Sequence, residues 1–439
     1  MGRHIPTPFY LAITDDHGEA MLRIETVMRI IPGKRIVALS TWKDQPKLVK
    51  IFFRRGHWKQ NMLRDLTGLT LLRQAAIPTP KIFSQTTTAD KQGAVLFIEY
   101  LQQGTSLLKM FRRAKEIDEQ ISIVEMGIES IACCHRAGLM QKDIHLDNFM
   151  LSSGKVYVLD GGDIKGTDGI LSMQDSLRNL AVFFAQFPTS MDNRIPNFLS
   201  RYLELTSATT ESVDELLPEI IKNVVASRQR RLQILEGKLF RSTTAHRMIR
   251  TFNRFAVYDR AIHSDVLEQF IQNPDALLSK GMMLKKGDSS TVVMIQFGGR
   301  DYVLKRYNIK SFTHGLKRLF QPSRAHKSWR NASVLEMLGI ATPHPYAMIE
   351  ERVFWIFRRR AWFLCEYIND ENLLQQLERD IDSIQMAEVL EQFQSLLNTM
   401  KVYNVSHGDM KASNFIYRNK QLYVFDLDAM SRHRSSSKA

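Results

Sequence analysis

One order of residues occurs twice along this chain, and that repeat constrains the fold more than any other feature. The first half reads an apolar strand with a lysine, Leu48-Val49-Lys50-Ile51-Phe52-Phe53, then a helix ending at Ala76-Ile77-Pro78-Thr79-Pro80, then a strand closing on Phe97-Ile98-Glu99-Tyr100. A helix follows with Ile117, Ile121, Val124, Ile128 and Ile131 at the spacing of one helical face. It leads into Lys142-Asp143-Ile144-His145-Leu146-Asp147-Asn148 and a strand ending at Asp160. The second half gives Tyr302-Val303-Leu304-Lys305, a helix ending Gly339-Ile340-Ala341-Thr342-Pro343, and Leu364-Cys365-Glu366-Tyr367. Then come a helix with Met386, Val389, Phe393, Leu396 and Met400, the loop His407-Gly408-Asp409 to Asn414, and a strand ending at Asp426. In each half the aspartate precedes the asparagine by five residues, and the asparagine precedes the strand-end aspartate by twelve.

A period this long is that of a duplicated domain, not of a solenoid. The expected domains are 1–260, which includes a basic, helical extension, and 261–439, which has a short helical part and a disordered basic tail. The stretch from about 165 to 260 reads as largely helical. After Asp426 only thirteen residues remain. The chain has 439 residues, 44% hydrophobic and 24% charged, which is enough to bury large cores. Its net charge of +14 favours anionic partners. The three cysteines, two of them adjacent, argue against a disulfide framework. The N-terminus lacks the pattern of a signal peptide and no apolar run spans a bilayer, so the expected location is cytoplasmic, extending to a peripheral place on the inner membrane.

Phosphoryl transfer needs charge neutralised and atoms held in line more than it needs covalent chemistry. A lysine within a buried strand is costly unless an anion meets it, and Lys50 and Lys305 fit a contact to nucleotide phosphates. For either lysine alone, a strand edge facing water is the better reading. Asp143 and Asp409 can accept a hydroxyl proton as catalytic bases, and Asn148 and Asn414 can hold a metal ion. Asp160 and Asp426 complete a site for magnesium, which takes carboxylate and phosphate oxygens. A turn-forming Asp/Asn pair explains one such loop but not two loops with matched downstream carboxylates.

These two loops resemble the catalytic and metal-binding loops of the protein-kinase fold. Lys305-Arg306-Tyr307-Asn308, Trp329-Arg330-Asn331-Ala332, Gly339-Ile340-Ala341-Thr342-Pro343 and His407 to Phe415 are similar to phrases of the lipopolysaccharide kinase (Kdo/heptose kinase) family. The resemblance covers about 20–190 and 275–430. It implies an α+β chain of two protein-kinase-like bilobal domains in tandem, each an antiparallel-sheet lobe plus a helical lobe, the second truncated. It implies ATP and Mg²⁺ as cofactors, a hinge at Glu99-Tyr100 and Glu366-Tyr367, and a sugar hydroxyl of the lipopolysaccharide core, or lipid A–core glycolipid, as acceptor.

The chain departs from that pattern at several places. Neither copy has a G-x-G-x-x-G loop; the nearest phosphate covers are Pro32-Gly33-Lys34-Arg35 in one copy and Lys286-Gly287-Asp288-Ser289-Ser290 in the other, with Gly33, Gly287 and Ser289 as the cover residues. The metal motifs are Asp160-Gly161-Gly162 and Asp426-Leu427-Asp428, and Gln141 stands where kinases place histidine. Asp65 is a candidate partner for Lys50, whereas no glutamate is an evident partner for Lys305. His145, two residues after Asp143, resembles the sugar- and antibiotic-phosphorylating branch of the fold, or is a surface histidine. A run from Lys305 to Arg330 without acidic residues, with Phe312, Leu316, Leu319 and Phe320 interleaved, reads equally as a dock for anionic lipid or as a solvated helix. No recognised motif supports nucleic acid. A small-molecule or Ser/Thr protein kinase, and a scaffold that binds nucleotide or glycolipid without turnover, are the alternative readings.

Overall fold

The computed structural model describes residues 5–15, 18–53, 55–167, 169–207, 211–308, 321–354, 357–379 and 383–433. The fold is α+β, and the chain forms two compact units. One comprises Met1–Gln186 with Asn193–Val224; the other comprises Phe187–Asp192 with Val225–Ala439.

The first unit begins with a closed antiparallel barrel. Strands β1 (Phe9–Asp15), β2 (Gly18–Ile31), β3 (Arg35–Trp42), β4 (Gln45–Phe52), β5 (Ile82–Thr88) and β6 (Ala94–Glu99) run in the order β1-β2-β3-β4-β6-β5, and β1 closes on β5 at Ile13↔Thr88. Alternation sorts their side chains. Leu22, Ile24, Ile36, Ala38, Val49, Ile51, Val95 and Phe97 fill one core. The intervening Phe52, Leu96 and Ile98 pack instead against Leu69 of helix α1 (Trp58–Gln74). Lys50 lies between Val49 and Ile51, so the pleat sends it to the α1 side.

The rest of this unit holds short strands β7 (Thr105–Ser106), β8 (Leu139–Gln141), β9 (Phe149–Ser152), β10 (Lys155–Val158) and β11 (Ile164–Gly166). Its helices are α2 (Leu107–Arg113), α3 (Ile117–Arg136), α4 (Met173–Phe184), α5 (Ile195–Thr206) and the start of α6 (Val213–Glu236). Buried His135 at the end of α3 holds α4 and α5. Its Nε2 lies 3.0 Å from Asn179 Oδ1 and its Nδ1 lies 2.9 Å from the Tyr202 hydroxyl. The amide oxygen can only accept, so Nε2 donates and Nδ1 accepts from the tyrosine. Burial outweighs the Asn179 bond and lowers the His135 pKa to about 4.

The second unit is built on a seven-stranded antiparallel sheet. Its strands are β12 (His246–Arg250), β13 (Arg254–Asp259), β14 (Met282–Lys286), β15 (Ser290–Phe297), β16 (Arg300–Tyr307), β17 (Pro345–Val353) and β18 (Phe357–Glu366), in the order β12-β13-β17-β18-β16-β15-β14. Tyr302 and Leu304 face a core that includes Leu267 and Phe270 of helix α7 (Asp265–Gln272), which is followed by α8 (Pro274–Leu278). Tyr307 faces the opposite core with Trp329 and Leu335 of helix α9 (Arg324–Leu338). Lys305 shares the strand face of Tyr307. After the sheet come α10 (Leu373–Glu378), α11 (Ser383–Val402), β19 (Val405–Ser406), β20 (Phe415–Arg418), β21 (Gln421–Val424) and β22 (Ser431–Arg432).

The structure differs from the expected boundary at 260. β13 pairs with β17 through Tyr258↔Ala347, so 246–259 is sheet of the second unit, not helical extension of the first. The many arginines there conceal a strand alternation in Phe255-Ala256-Val257-Tyr258. Leu232 and Leu239 also enter the core of the second unit. Buried Arg228 binds Asp192 at 2.8 Å and the Tyr403 hydroxyl at 2.6 Å. The short helical part after Asp426 is thus completed by chain that precedes the sheet.

The two units match residue for residue at an offset of 266 over this region. α3 corresponds to α11, β8 to β19, β9 to β20, β10 to β21, and the β8–β11 pair to β19–β22. The matched helices differ in burial. Val124 and Ile131 are 0% and 1% exposed, whereas their counterparts Leu390 and Leu397 are 61% and 46% exposed.

Two predictions follow from this packing. A Cβ at Gly68 would lie 1.9 Å from the Gly161 carbonyl oxygen, so Gly68→Ala should lower stability by about 1–3 kcal/mol in urea unfolding. Gly237→Ala, with nothing closer than 3.5 Å, should not. His135 has a folded pKa below its unfolded value, so its contribution is present above pH ~6.5 and lost as pH falls towards 4. The urea midpoint should drop across that window, and His135→Gln should flatten the drop.

Candidate active sites

In the first unit two strands, a helix and a loop bring four charged groups together. Lys50 Nζ on β4 lies 2.9 and 2.8 Å from the two carboxylate oxygens of Asp65 on α1. Arg35 on β3 reaches Asp65 Oδ2 at 3.1 Å and Asp160 Oδ2 at 3.3 Å. Lys50 is 3.9 Å from Asp160. Asp65 is fully buried and also accepts from the Gly161 amide at 3.2 Å. A buried carboxylate is tolerated only with such a set of donors. Burial alone would raise the Asp160 pKa, but the charges of Lys50 and Arg35 overcome it and hold the carboxyl well below its usual range. Gly68 and Gly161 let α1 and the loop after Asp160 meet backbone to backbone, which explains why glycine follows that aspartate.

The Asp143 loop is shaped by its own asparagine. Asn148 donates its amide to the Asp143 carbonyl oxygen at 2.7 Å. The Leu159 amide donates to the Asn148 carbonyl at 2.9 Å, setting the loop beside the strand that ends at Asp160. Thr79 donates to the Val158 carbonyl at 2.8 Å, which ties the Ile77-Pro78-Thr79-Pro80 turn to the same strand. Gln141 donates to the Asp160 carbonyl oxygen at 3.4 Å. His145 lies 3.7 Å from the exposed Asp143 carboxylate.

A 440 Å³ cavity is lined by Lys50, Leu48, Ile98, Met150, Leu159, Asn148 and Asp160, with Glu99 and Tyr100 at the expected hinge. It has the size and the mixed apolar and polar lining of a small-ligand site. Arg29, Arg35 and Lys109 add positive charge to its wall. Gly33 is not part of that wall; it makes the exposed β2–β3 turn at φ +69°.

The second unit repeats the scaffold. Asn414 donates to the Asp409 carbonyl at 2.9 Å and the Phe425 amide to the Asn414 carbonyl at 2.9 Å. Thr342 donates to the Val424 carbonyl at 2.8 Å, and His407 to the Phe425 carbonyl at 2.7 Å. Glu366 accepts from the His344 amide at 3.3 Å, as Glu99 does from Lys81 at 3.0 Å. The Tyr367 amide donates to the Asp301 carbonyl. Gly287 and Ser289 form the β14–β15 turn, and Arg324 donates to the Ser289 carbonyl at 3.2 Å.

Its charges are wired differently. With Ile77-Pro78-Thr79-Pro80 aligned on Ile340-Ala341-Thr342-Pro343, the position of Asp65 holds Ser328, which bonds the Tyr307 hydroxyl at 2.8 Å. Lys305 therefore bonds Asp426 directly and Asp428 at 3.2 Å, and Arg324 joins Asp428 at 2.8 Å. Burial works against the Lys305 charge, but Tyr307, Asp428 and Asp426 outweigh it and raise its pKa. The charge of Lys305 likewise lowers the Asp426 pKa against burial. Asp426 has left-handed backbone (φ 56°), whereas Asp160 is extended (φ −113°). Asp409 accepts from Lys411 at 2.8 Å and from Asn414 at 3.1 Å, which lowers its pKa.

In each unit the asparagine amide nitrogen is spent on the preceding loop, so its oxygen is the remaining branch. That oxygen and the strand-end carboxylate are hard donors of the kind magnesium takes with phosphate oxygens. Among the described residues no group of three His, Cys, Asp or Glu forms a metal cluster. The sequence placed Arg35 in a candidate phosphate-cover turn, Arg324 in the basic run and Asp428 in the metal motif, but it gave none of the three its ionic partner.

Residues 281–439 match the model of the lipopolysaccharide kinase (Kdo/WaaP) family. A comparison with curated proteins finds no match. Among solved structures, WaaP in complex with acyl carrier protein is similar at 17% identity and TM-score 0.35, covering 48% of this chain and 88% of that one. A rhoptry kinase from Toxoplasma gondii is similar at 12% identity and TM-score 0.30, covering 44% and 59%. The Mycobacterium tuberculosis PknI kinase domain is similar at 11% identity and TM-score 0.28, covering 37% and 70%. The family-level similarity is to kinases, and so to a phosphotransferase role.

Asp65→Ala leaves Lys50 and Arg35 without their shared carboxylate. Removing one partner of a buried pair costs about 3–5 kcal/mol, so chemical denaturation should show a loss of that order. Ser328→Ala removes only one hydroxyl bond and should cost about 1 kcal/mol.

Proposed function

We propose that this protein is an ATP- and Mg²⁺-dependent kinase built from two protein-kinase-like domains in tandem. Its acceptor is a sugar hydroxyl of the lipopolysaccharide core or lipid A–core glycolipid. The observation that carries the reading is the duplicated constellation of lysine, loop aspartate, asparagine and strand-end aspartate, held in both units by the same backbone bonds. The match of 281–439 to the lipopolysaccharide kinase family supports the acceptor class. The 440 Å³ cavity supports nucleotide binding in the first unit.

In this reading Lys50 and Lys305 meet nucleotide phosphates, and Glu99-Tyr100 and Glu366-Tyr367 present hinge backbone to the base. Asn148 with Asp160, and Asn414 with Asp426, hold the metal, which neutralises phosphate charge when bound. Asp143 and Asp409 orient the acceptor hydroxyl and take its proton. Asp409 is held ionised by Lys411, as a base must be at neutral pH. His145 stands beside Asp143 where Lys411 stands beside Asp409.

The proposed place of action is the cytoplasmic face of the inner membrane, where such a glycolipid is reached. Among the described residues no helix is long and apolar enough to cross a membrane. Of the basic run, Phe312, Leu316, Leu319 and Phe320 lie outside the described residues, while Arg306 pairs with Asp275 and Arg324 with Asp428.

Transfer of the ATP γ-phosphate to core oligosaccharide tests this reading. Asp143→Ala and Asp409→Ala together should reduce turnover by roughly 10²-fold or more with folding intact. Full activity in the double variant overturns it. Magnesium-dependent ATP binding, measured by calorimetry on Asp160→Ala and Asp426→Ala, should fall stepwise if both units take nucleotide.

A further inference from the structure

We propose that a second, strongly cationic cavity in the first unit binds a phosphomonoester dianion. The cavity measures 620 Å³ and shares no lining residue with the 440 Å³ cavity that holds Lys50 and Asp160. Lys59 and Arg64 of α1 line it, together with Lys142 after β8 and Lys165 of β11. Against these four cations it has one carboxylate, Asp163, which Arg64 holds at 3.2 Å.

The backbone brings the like charges together. The Lys142 amide donates to the Asp163 carbonyl at 3.0 Å, and β8 and β11 pair with Lys165 opposite Met140. The two lysine side chains then face one another, and the Lys165 ammonium depresses the Lys142 pKa. This repulsion is a cost in the empty cavity, and an anion between the ammonium groups turns it into attraction. A phosphomonoester offers three acceptor oxygens and close to two negative charges, which suit several ammonium donors at once. The volume is larger than bare phosphate needs, so the group esterified to the phosphate fits inside as well.

The arrangement gives the ligand a defined reach. Lys59 and Arg64 belong to the helix that carries Asp65, Lys142 adjoins Asp143, and Asp163 and Lys165 follow Asp160. The face of α1 used here differs from the one that presents Asp65 and Gly68 to the Gly161 loop. An anion in this cavity therefore contacts three segments of the first unit from outside its nucleotide cavity, and its binding does not depend on the kinase reading.

Calorimetry on the full chain tests the proposal, with glucose 6-phosphate, inorganic phosphate and glucose as probes. Wild type should bind the phosphorylated probes and not glucose. Tighter binding of glucose 6-phosphate than of phosphate identifies a sugar phosphate as the occupant class; equal affinity identifies orthophosphate. Lys142→Met with Lys165→Met should weaken binding by roughly tenfold or more per lysine, and Lys59→Met should weaken it further. All three side chains belong to exposed residues, so the fold should be retained. Arg29→Met with Lys109→Met, which removes two exposed cations from the wall of the nucleotide cavity, should leave anion binding unchanged. The proposal is overturned by absence of phosphate binding at millimolar concentration, by unchanged affinity in the lysine variants, or by loss in Arg29→Met with Lys109→Met, which places the anion in the nucleotide cavity.

Discussion

The first unit depends on the buried carboxylate of Asp65. It takes bonds from Lys50, Arg35 and the Gly161 amide, and so fixes two strands, a helix and a loop with one charge. In low-dielectric surroundings such a hub is strong only while every partner is present. Arg35 extends it to Asp160, so the carboxylate proposed for the metal is already held ionised before any ligand arrives. The close approach of Gly68 to Gly161 keeps α1 near enough for the carboxylate to reach.

The second unit shows what happens when the hub is absent. Its helix places Ser328 where the acid would be, and the lysine turns to the carboxylates of Asp426 and Asp428. Asn331 replaces the bare glycine contact and donates to the Leu427 and Met430 carbonyls at 2.7 and 2.9 Å. The helix-to-loop connection is thus made by an amide side chain in one unit and by backbone contact around a carboxylate in the other. The loops beyond are nevertheless the same, because their asparagine, threonine and strand bonds are local and independent of the charge network.

The sheets diverge for a related reason. Strands that carry apolar residues on both faces need cover on both. The first unit provides it by closing its six strands into a barrel, and the second by packing α7 on the face opposite α9. On α11 Gln394 and Lys401 stand where α3 has Ile128 and His135, while Leu390 and Leu397 are apolar and exposed.

The repeated order of elements and the loop bonds were legible in the sequence because each motif is short and its bonds run between near neighbours or along one strand. The Lys50–Asp65 pair was legible for the same reason, as strand and helix adjoin in the chain. The boundary between the units was not, because strand pairing of 254–258 with 347–351 joins segments about ninety residues apart. Nor were Arg35, Arg324 and Asp428, whose roles rest on charges brought together across strands and helices. Sequence alone determined which residues repeat; tertiary structure decided which partner each charge has. A side chain's type is carried by the chain itself, but its ionic environment is set by whichever distant segments pack against it.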